Sequence, residues 1–284
     1  MGLIKFFTNK RVAVATIFLA ITLASIVLGG IALAVFLTVL ILLGNRELVT
    51  FIRAKGYNPS VPIITAADLV FILLATFGLE ELLSFSVTIA TIATLLSILS
   101  RGKNATIADA STTIMAFMYG GWLPMHILLL RQLDLDGLSI YNFSFADGLG
   151  YIIMIFLVIT ISDIAGYYIG TNFGKTPLCP TISPKKTVEG AVASTIGGIL
   201  IAIVVGYFIK LSFVHSLIAG ILFSLAAQFG DLCESMLKRD AGLKDSGDML
   251  PGHGGVLDRA DSYIFTGAVA YYYFKIFVIQ AFML

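Results

Sequence analysis

The chain has 284 residues, 58% of them hydrophobic and only 12% charged, where an ordinary soluble domain is roughly a quarter charged. A water-soluble fold of this length could not hide so much apolar side chain, so the bilayer must act as its solvent. The formal net charge of +1 excludes little, but the only two cysteines, Cys179 and Cys233, form no CxxC spacing, which argues against a disulfide framework, a zinc site or an iron–sulfur site.

Crossing about 30 Å of hydrocarbon takes roughly 20 apolar residues in a helix. Nine runs come near that length, with approximate limits 12–28, 31–52, 63–80, 83–100, 107–129, 147–170, 189–209, 213–236 and 262–282. The first follows Lys5, Lys10 and Arg11 and so imitates a signal peptide. Because further spans follow directly, a transmembrane helix is expected instead. Only Gly29-Gly30 divides the first two runs, yet 12–52 is far longer than one span requires. The expected fold class is an all-α integral membrane protein with about nine transmembrane helices.

Orientation follows from the basic residues. With nine spans, Arg131, Lys210 and Lys275 fall on one side and the other 15 of the 18 Lys and Arg on the opposite side. The basic side is the cytoplasmic one, so the N-terminus is expected inside and the C-terminus outside, with the cell (inner) membrane as the expected location. The long polar stretches, 171–188 and 237–261, both fall on the cytoplasmic side. The first five helices carry few polar residues. Residues 1–145 therefore read as transmembrane scaffold, and 146–284 as a catalytic region with those two loops.

The eighth run carries Ser224, Gln228, Asp231, Ser235 and Lys238 at spacings of four, three, four and three, which aligns them on one helix face, with Glu234 at its cytoplasmic end. A carboxylate in such a helix is costly unless it meets a cation, a partner or water. The structural alternative is an ion pair between Asp231 and a basic residue of a neighbouring helix. The sixth run repeats the pattern with Asp163, Gly166, Tyr167 and Gly170. Its glycines suit either close helix packing or the approach of a ligand.

After it, Gly170 to Thr176 reads G-T-N-F-G-K-T. A Walker A loop needs four residues between its glycines and a preceding strand, and neither condition is met. What remains is a proline-braced loop presenting Lys175, Lys185 and Lys186, which suits anionic groups. The stretch 237–261 adds Asp258 and Asp261, three apart on one face where the ninth helix should begin, with Arg259 between them in sequence. Such carboxylates can simply complement a helix dipole, a contribution of under about 1 kcal/mol. Mixed with Lys, Arg and a glycine-rich turn, they are also what a magnesium–phosphate site requires. His253, among Gly252, Gly254 and Gly255, can donate to a phosphate or brace the turn.

From Ser235 to Asp261 the sequence resembles the signature of phosphatidate cytidylyltransferases, also called CDP-diacylglycerol synthases. The matching positions are Ser235, Lys238, Arg239, Lys244, Asp245, His253, Gly254, Gly255, Asp258, Arg259 and Asp261. Asp163 to Tyr167, Ser183 to Gly190 and Gly230 to Ser235 also look like segments of that family. Ala260, Val188 and Ile164 depart from the usual residues, and none of the three removes a charge.

The resemblance implies transfer of CMP from CTP to phosphatidic acid, giving CDP-diacylglycerol and pyrophosphate. It implies Asp231, Asp258, Lys238, Arg239 and Asp261 as catalytic residues. Magnesium is the implied cofactor, with a second cation left open, and its ligands are Asp231 and Asp258, with Asp163 and Asp261 next. Lys185, Lys186, Ser183, Lys244, His253, Arg259, Ser235 and Tyr167 are expected at the substrates. The expected partners are CTP, phosphatidic acid and the bilayer, with a homodimer left open and no nucleic acid. The rival readings are a related CTP-dependent lipid transferase (a polyprenol kinase or an ether-lipid cytidylyltransferase) and an ion-coupled transporter. A transporter would usually show paired interrupted helices in its two halves, and no such pairing is visible.

Overall fold

The computed structural model describes residues 10–104, 106–133, 139–140, 143–144, 148–243, 246–247 and 254–279. Nine helices succeed one another among them: α1 Lys10–Leu28, α2 Gly30–Ala54, α3 Val61–Thr76, α4 Glu81–Leu99, α5 Ile107–Arg131, α6 Leu149–Phe173, α7 Val188–Phe208, α8 Phe213–Asp240 and α9 Leu257–Ile279. They follow the nine apolar runs one for one. Seven are long and apolar enough to cross a membrane, while Ala13–Leu28 of α1 and the whole of α3 are apolar but shorter. At roughly 1.5 Å per residue, the 16 residues of α3 fall short of the hydrocarbon thickness. The protein is a predominantly helical, multi-pass membrane protein.

α1 and α2 are separate helices because Gly29 and Gly30 both adopt positive φ, 61° and 47°. A side chain would make that left-handed backbone cost roughly 1–2 kcal/mol per residue, so two successive glycines are what allows the break. Two antiparallel β-pairs complete the described structure. Ser139–Ile140 (β1) pairs with Phe143–Ser144 (β2), and Pro177–Cys179 (β3) pairs with Ser183–Thr187 (β4). The stretch expected to be a loop over 171–188 is thus corrected. Its first three residues finish α6, and its centre is a β-hairpin in which Pro177 faces Thr187 and Cys179 faces Ser183.

The chain folds as two compact units, Met1–Leu128 with Leu237–Ala260 and Leu129–Met236 with Asp261–Leu284. In the first, Leu33, Leu48, Ile64, Phe71 and Phe117 are almost wholly buried, and Phe71 meets the edges of Phe117 and Trp122 at 6.1 and 5.3 Å. This core also holds a polar pair. The amide of Asn45 donates to Asp68 at 2.6 Å, and both side chains are buried. Gly120 and Gly121, in a π-helical turn of α5, lie where any Cβ would collide with those two side chains.

In the second unit α6 and α7 approach through glycine. A Cβ on Gly190 would stand 2.9 Å from the carbonyl oxygen of Gly166 and 3.1 Å from the Cα of Gly170. Small residues let helix backbones close in where lipid provides no hydrophobic drive between helices. Near the other end of α6 Tyr151 stacks on Phe274, with ring centroids 3.6 Å apart.

Candidate active site

In the second unit α6, α7, α8 and the β3–β4 hairpin enclose a cavity of about 380 Å³. α6 turns Asp163, Gly166, Tyr167 and Gly170 toward it, the four residues whose spacing placed them on one face. α8 contributes Gln228 and Asp231, and β4 contributes Lys185 and Lys186. The Lys186 ammonium is 2.5 Å from Asp231 Oδ2, and both side chains are partly exposed. Ser235, one turn further along α8, donates to Asp231 Oδ1 at 3.4 Å. Ser224, from the same stripe, is instead fully buried. Its hydroxyl donates to the Gly220 carbonyl at 2.7 Å and lies 3.2 Å from Ser162 Oγ.

Two residues that spacing did not single out hold the lysines in place. Thr187 Oγ1 accepts the Gly190 amide at 3.2 Å and so caps the start of α7. Glu189 accepts the amides of Lys175 and Thr176, each at 3.1 Å, and the Thr176 hydroxyl at 3.0 Å. The hairpin is thereby tied at both ends to the first turn of α7. Ser183 lies on β4 but outside the cavity lining.

The donor set of this cavity suits a hard divalent cation. Asp163 and Asp231 offer only oxygen, and no group of three or more His, Cys, Asp or Glu converges among the described residues. Two carboxylates with room for substrate phosphates are a donor set that magnesium commonly accepts in place of an all-protein cage. Lys185 and Lys186 bring positive charge to the same space.

The first unit contains a second cluster. Asp258, at the start of α9, has both oxygens engaged: Oδ1 accepts the Lys238 ammonium at 2.6 Å, and Oδ2 accepts the amides of Gly255 and Ser246 at 2.9 and 3.1 Å. Glu47 of α2 accepts the amides of Val256 and Leu257 at 2.9 and 2.8 Å. These bonds satisfy N–H groups that a helix start leaves unpaired, and the negative charge suits the positive end of the helix dipole. Arg239, in the last turn of α8, donates to the Leu243 carbonyl at 3.2 Å, and Arg259 is exposed in the first turn of α9. Asp261, in the second unit, accepts the Ser262 amide at 2.6 Å. Lys244, Asp245 and His253 lie outside the described residues.

The expected sites therefore distribute over two clusters, each within its own unit: Asp163, Tyr167, Lys185, Lys186, Asp231 and Ser235 in one, Lys238 and Asp258 in the other. The first half of the chain contributes Glu47, which no motif or periodicity marked.

Comparison with known proteins places the chain as a whole. Residues 9–277 match the family model of the cytidylyltransferase family. A phosphatidate cytidylyltransferase of Synechocystis is 36% identical, over 93% of this chain and 96% of its own. One from Staphylococcus haemolyticus is 35% identical over 90% and 94%. The chloroplastic phosphatidate cytidylyltransferase 5 of Arabidopsis thaliana is 37% identical over 87% of this chain and 67% of its own. On a match that runs through all nine helices, the chain belongs to the cytidylyltransferase family.

Proposed function

We propose that the protein transfers CMP from CTP to phosphatidic acid, releasing pyrophosphate and leaving CDP-diacylglycerol in the membrane. The observation that carries this reading is the cavity where Asp163 and Asp231 face Lys185 and Lys186 in a membrane-embedded helical bundle. A phosphate oxygen of phosphatidic acid attacks the α-phosphorus of CTP, and the bond from that phosphorus to the bridging oxygen of the β-phosphate breaks. A phosphate monoester has a second pKa near about 6, so the nucleophile is already ionised and needs no strong base. The remaining difficulty is to bring two polyanions together, which calls for fixed positive charge at the reacting phosphorus.

Lys185 and Lys186 supply that charge from the hairpin. Asp231 and Asp163 are the residues that would hold magnesium, which when bound screens the phosphate oxygens. Asp258, expected beside Asp231 as a ligand, has its carboxylate held by Lys238 and two amides. Its first contribution is to shape the start of α9. Lys238, Arg239 and Arg259 are proposed to meet the anionic substrates near the membrane surface. Nine crossings, with the N-terminus and the 237–261 stretch cytoplasmic and the C-terminus outside, follow from the distribution of Lys and Arg. They bring the chemistry to the side where CTP is found, at the inner membrane.

Purified protein incubated with labelled CTP and magnesium tests the reading. Pyrophosphate and CDP-diacylglycerol are expected with phosphatidic acid and not with polyprenol or an ether lipid. A phosphorylated polyprenol with release of CDP would make the protein a lipid kinase instead.

A further inference from the structure

We infer that Glu47, on α2 in the first half of the chain, is a positioning residue for the reaction. It fixes the backbone at the start of α9, and through it Asp258 and Lys238. The inference rests on the functional reading above for its activity measurements, but not for its structural one. Glu47 is 5% exposed. Burying a carboxylate is costly unless hydrogen bonds compensate it, and here both oxygens are used. Oε1 accepts from Val256 N and Oε2 from Leu257 N, at 2.9 and 2.8 Å, across 209 and 210 residues of sequence.

The surrounding chain is shaped to admit this carboxylate. A Cβ on Gly255 would collide with Ser246 Oγ and stand 2.5 and 2.6 Å from the two Glu47 oxygens, and one on Gly247 would stand 3.1 Å from Oε1. The loop therefore closes around the acid only because those positions lack side chains. Asp258 accepts the amide of Gly255, which closes the turn before the helix, whereas the amides of Val256 and Leu257 at the helix start itself are held by Glu47. What Glu47 adds is a rigid tie to another helix at the residue directly before Asp258. The Asp258 carboxylate in turn holds the Lys238 ammonium at 2.6 Å, so a shift at Leu257 passes to both charged groups.

Glu47→Gln retains the size of the side chain but turns a donor toward one of the two amides, and Glu47→Asp retains the charge on a shorter arm. Three measurements test the tie: amide hydrogen exchange over 254–260, kcat and KM with CTP and phosphatidic acid, and melting in detergent. Glu81→Gln, at an exposed position on α4, is the control. For Glu47→Gln we expect exchange at Val256 and Leu257 to quicken about tenfold or more, and kcat to fall about 10- to 100-fold with KM for CTP within about twofold, the scale of loss from a small misplacement. Glu47→Asp should lie between Glu47→Gln and the parent, and Glu81→Gln should match the parent.

The double variant Glu47→Gln with Asp258→Asn should lose at most about twofold beyond Asp258→Asn alone, because residues acting through one another are not additive. Should Glu47→Gln fail to fold, Glu47→Asp must itself show quickened exchange at Val256 and Leu257 and a lower kcat. Unchanged exchange, or losses that multiply in the double variant, would overturn the inference. A parent protein inert toward CTP that still shows the exchange difference would overturn the functional reading and leave the tie standing.

Discussion

The Lys186 ammonium stands 2.5 Å from a carboxylate oxygen of Asp231, joining the second strand of the hairpin to the C-terminal half of α8. The expected alternative for Asp231 was an ion pair with a neighbouring helix, and the partner is in fact on a β-strand at the cavity wall. Both side chains are partly exposed, and an ion pair in such a setting contributes only about 0–1 kcal/mol. Its value to stability is small, so its place in the cavity is the better account of it.

Asp231→Asn should therefore leave melting in detergent close to that of the parent and lower turnover by at least about 100-fold, the scale of losing a key electrostatic stabiliser. Raising magnesium should restore part of the activity. Poor yield and early unfolding, with normal turnover in the surviving protein, would instead make Asp231 a structural residue.

Asp258 should behave differently. It shares a largely buried pair with Lys238, their side chains 14% and 12% exposed, and it accepts two backbone amides. Asp258→Asn is expected to lower turnover and also to cost about 1.5–3 kcal/mol of stability, as for other hydrogen bonds to a charged group. A melting curve for Asp258→Asn that overlays that of Asp231→Asn would contradict this division of roles.

Gly190 tests the packing beneath the cavity. Because a Cβ there would meet the backbone of α6 at 2.9 Å, Gly190→Ala should cost about 1–3 kcal/mol, as overpacking does. The shift should carry the hairpin with it and raise KM for CTP. Gly44→Ala is the control, since its Cβ would meet only the end of Leu257 at an ordinary 3.7 Å, and no such loss is expected.

Topology can be read with reporters. A reporter fused after Leu284 should report the non-cytoplasmic side, and one inserted within 237–261 the cytoplasmic side. Finding both on the same side would remove the nine-crossing arrangement.

Much of this architecture was legible without coordinates. Hydropathy alone locates the nine helices, because a bilayer demands long apolar runs whatever the tertiary packing. Helical periodicity placed Asp163, Gly166, Tyr167 and Gly170 on the face of α6 that lines the cavity, and Gln228 and Asp231 on the matching face of α8. The segment from Ser235 to Asp261 carried the family. Each of these signals is local, recorded in residues a few positions apart.

Tertiary structure decided what lies between distant residues. The stretch around Lys185 and Lys186 reads as a polar loop because three- and five-residue strands are too short to leave a periodic signature. Its hairpin exists because Glu189 and Thr187 tie it to α7. Asn45 and Asp68 look like isolated polar residues in scaffold helices, and only packing makes them a buried pair against Gly120 and Gly121. The clearest case is Glu47, one acid in an apolar run with no motif around it. Its partners are two backbone amides more than 200 residues away, and because every non-proline residue carries the same N–H group, the sequence by itself could not say which of them it would hold.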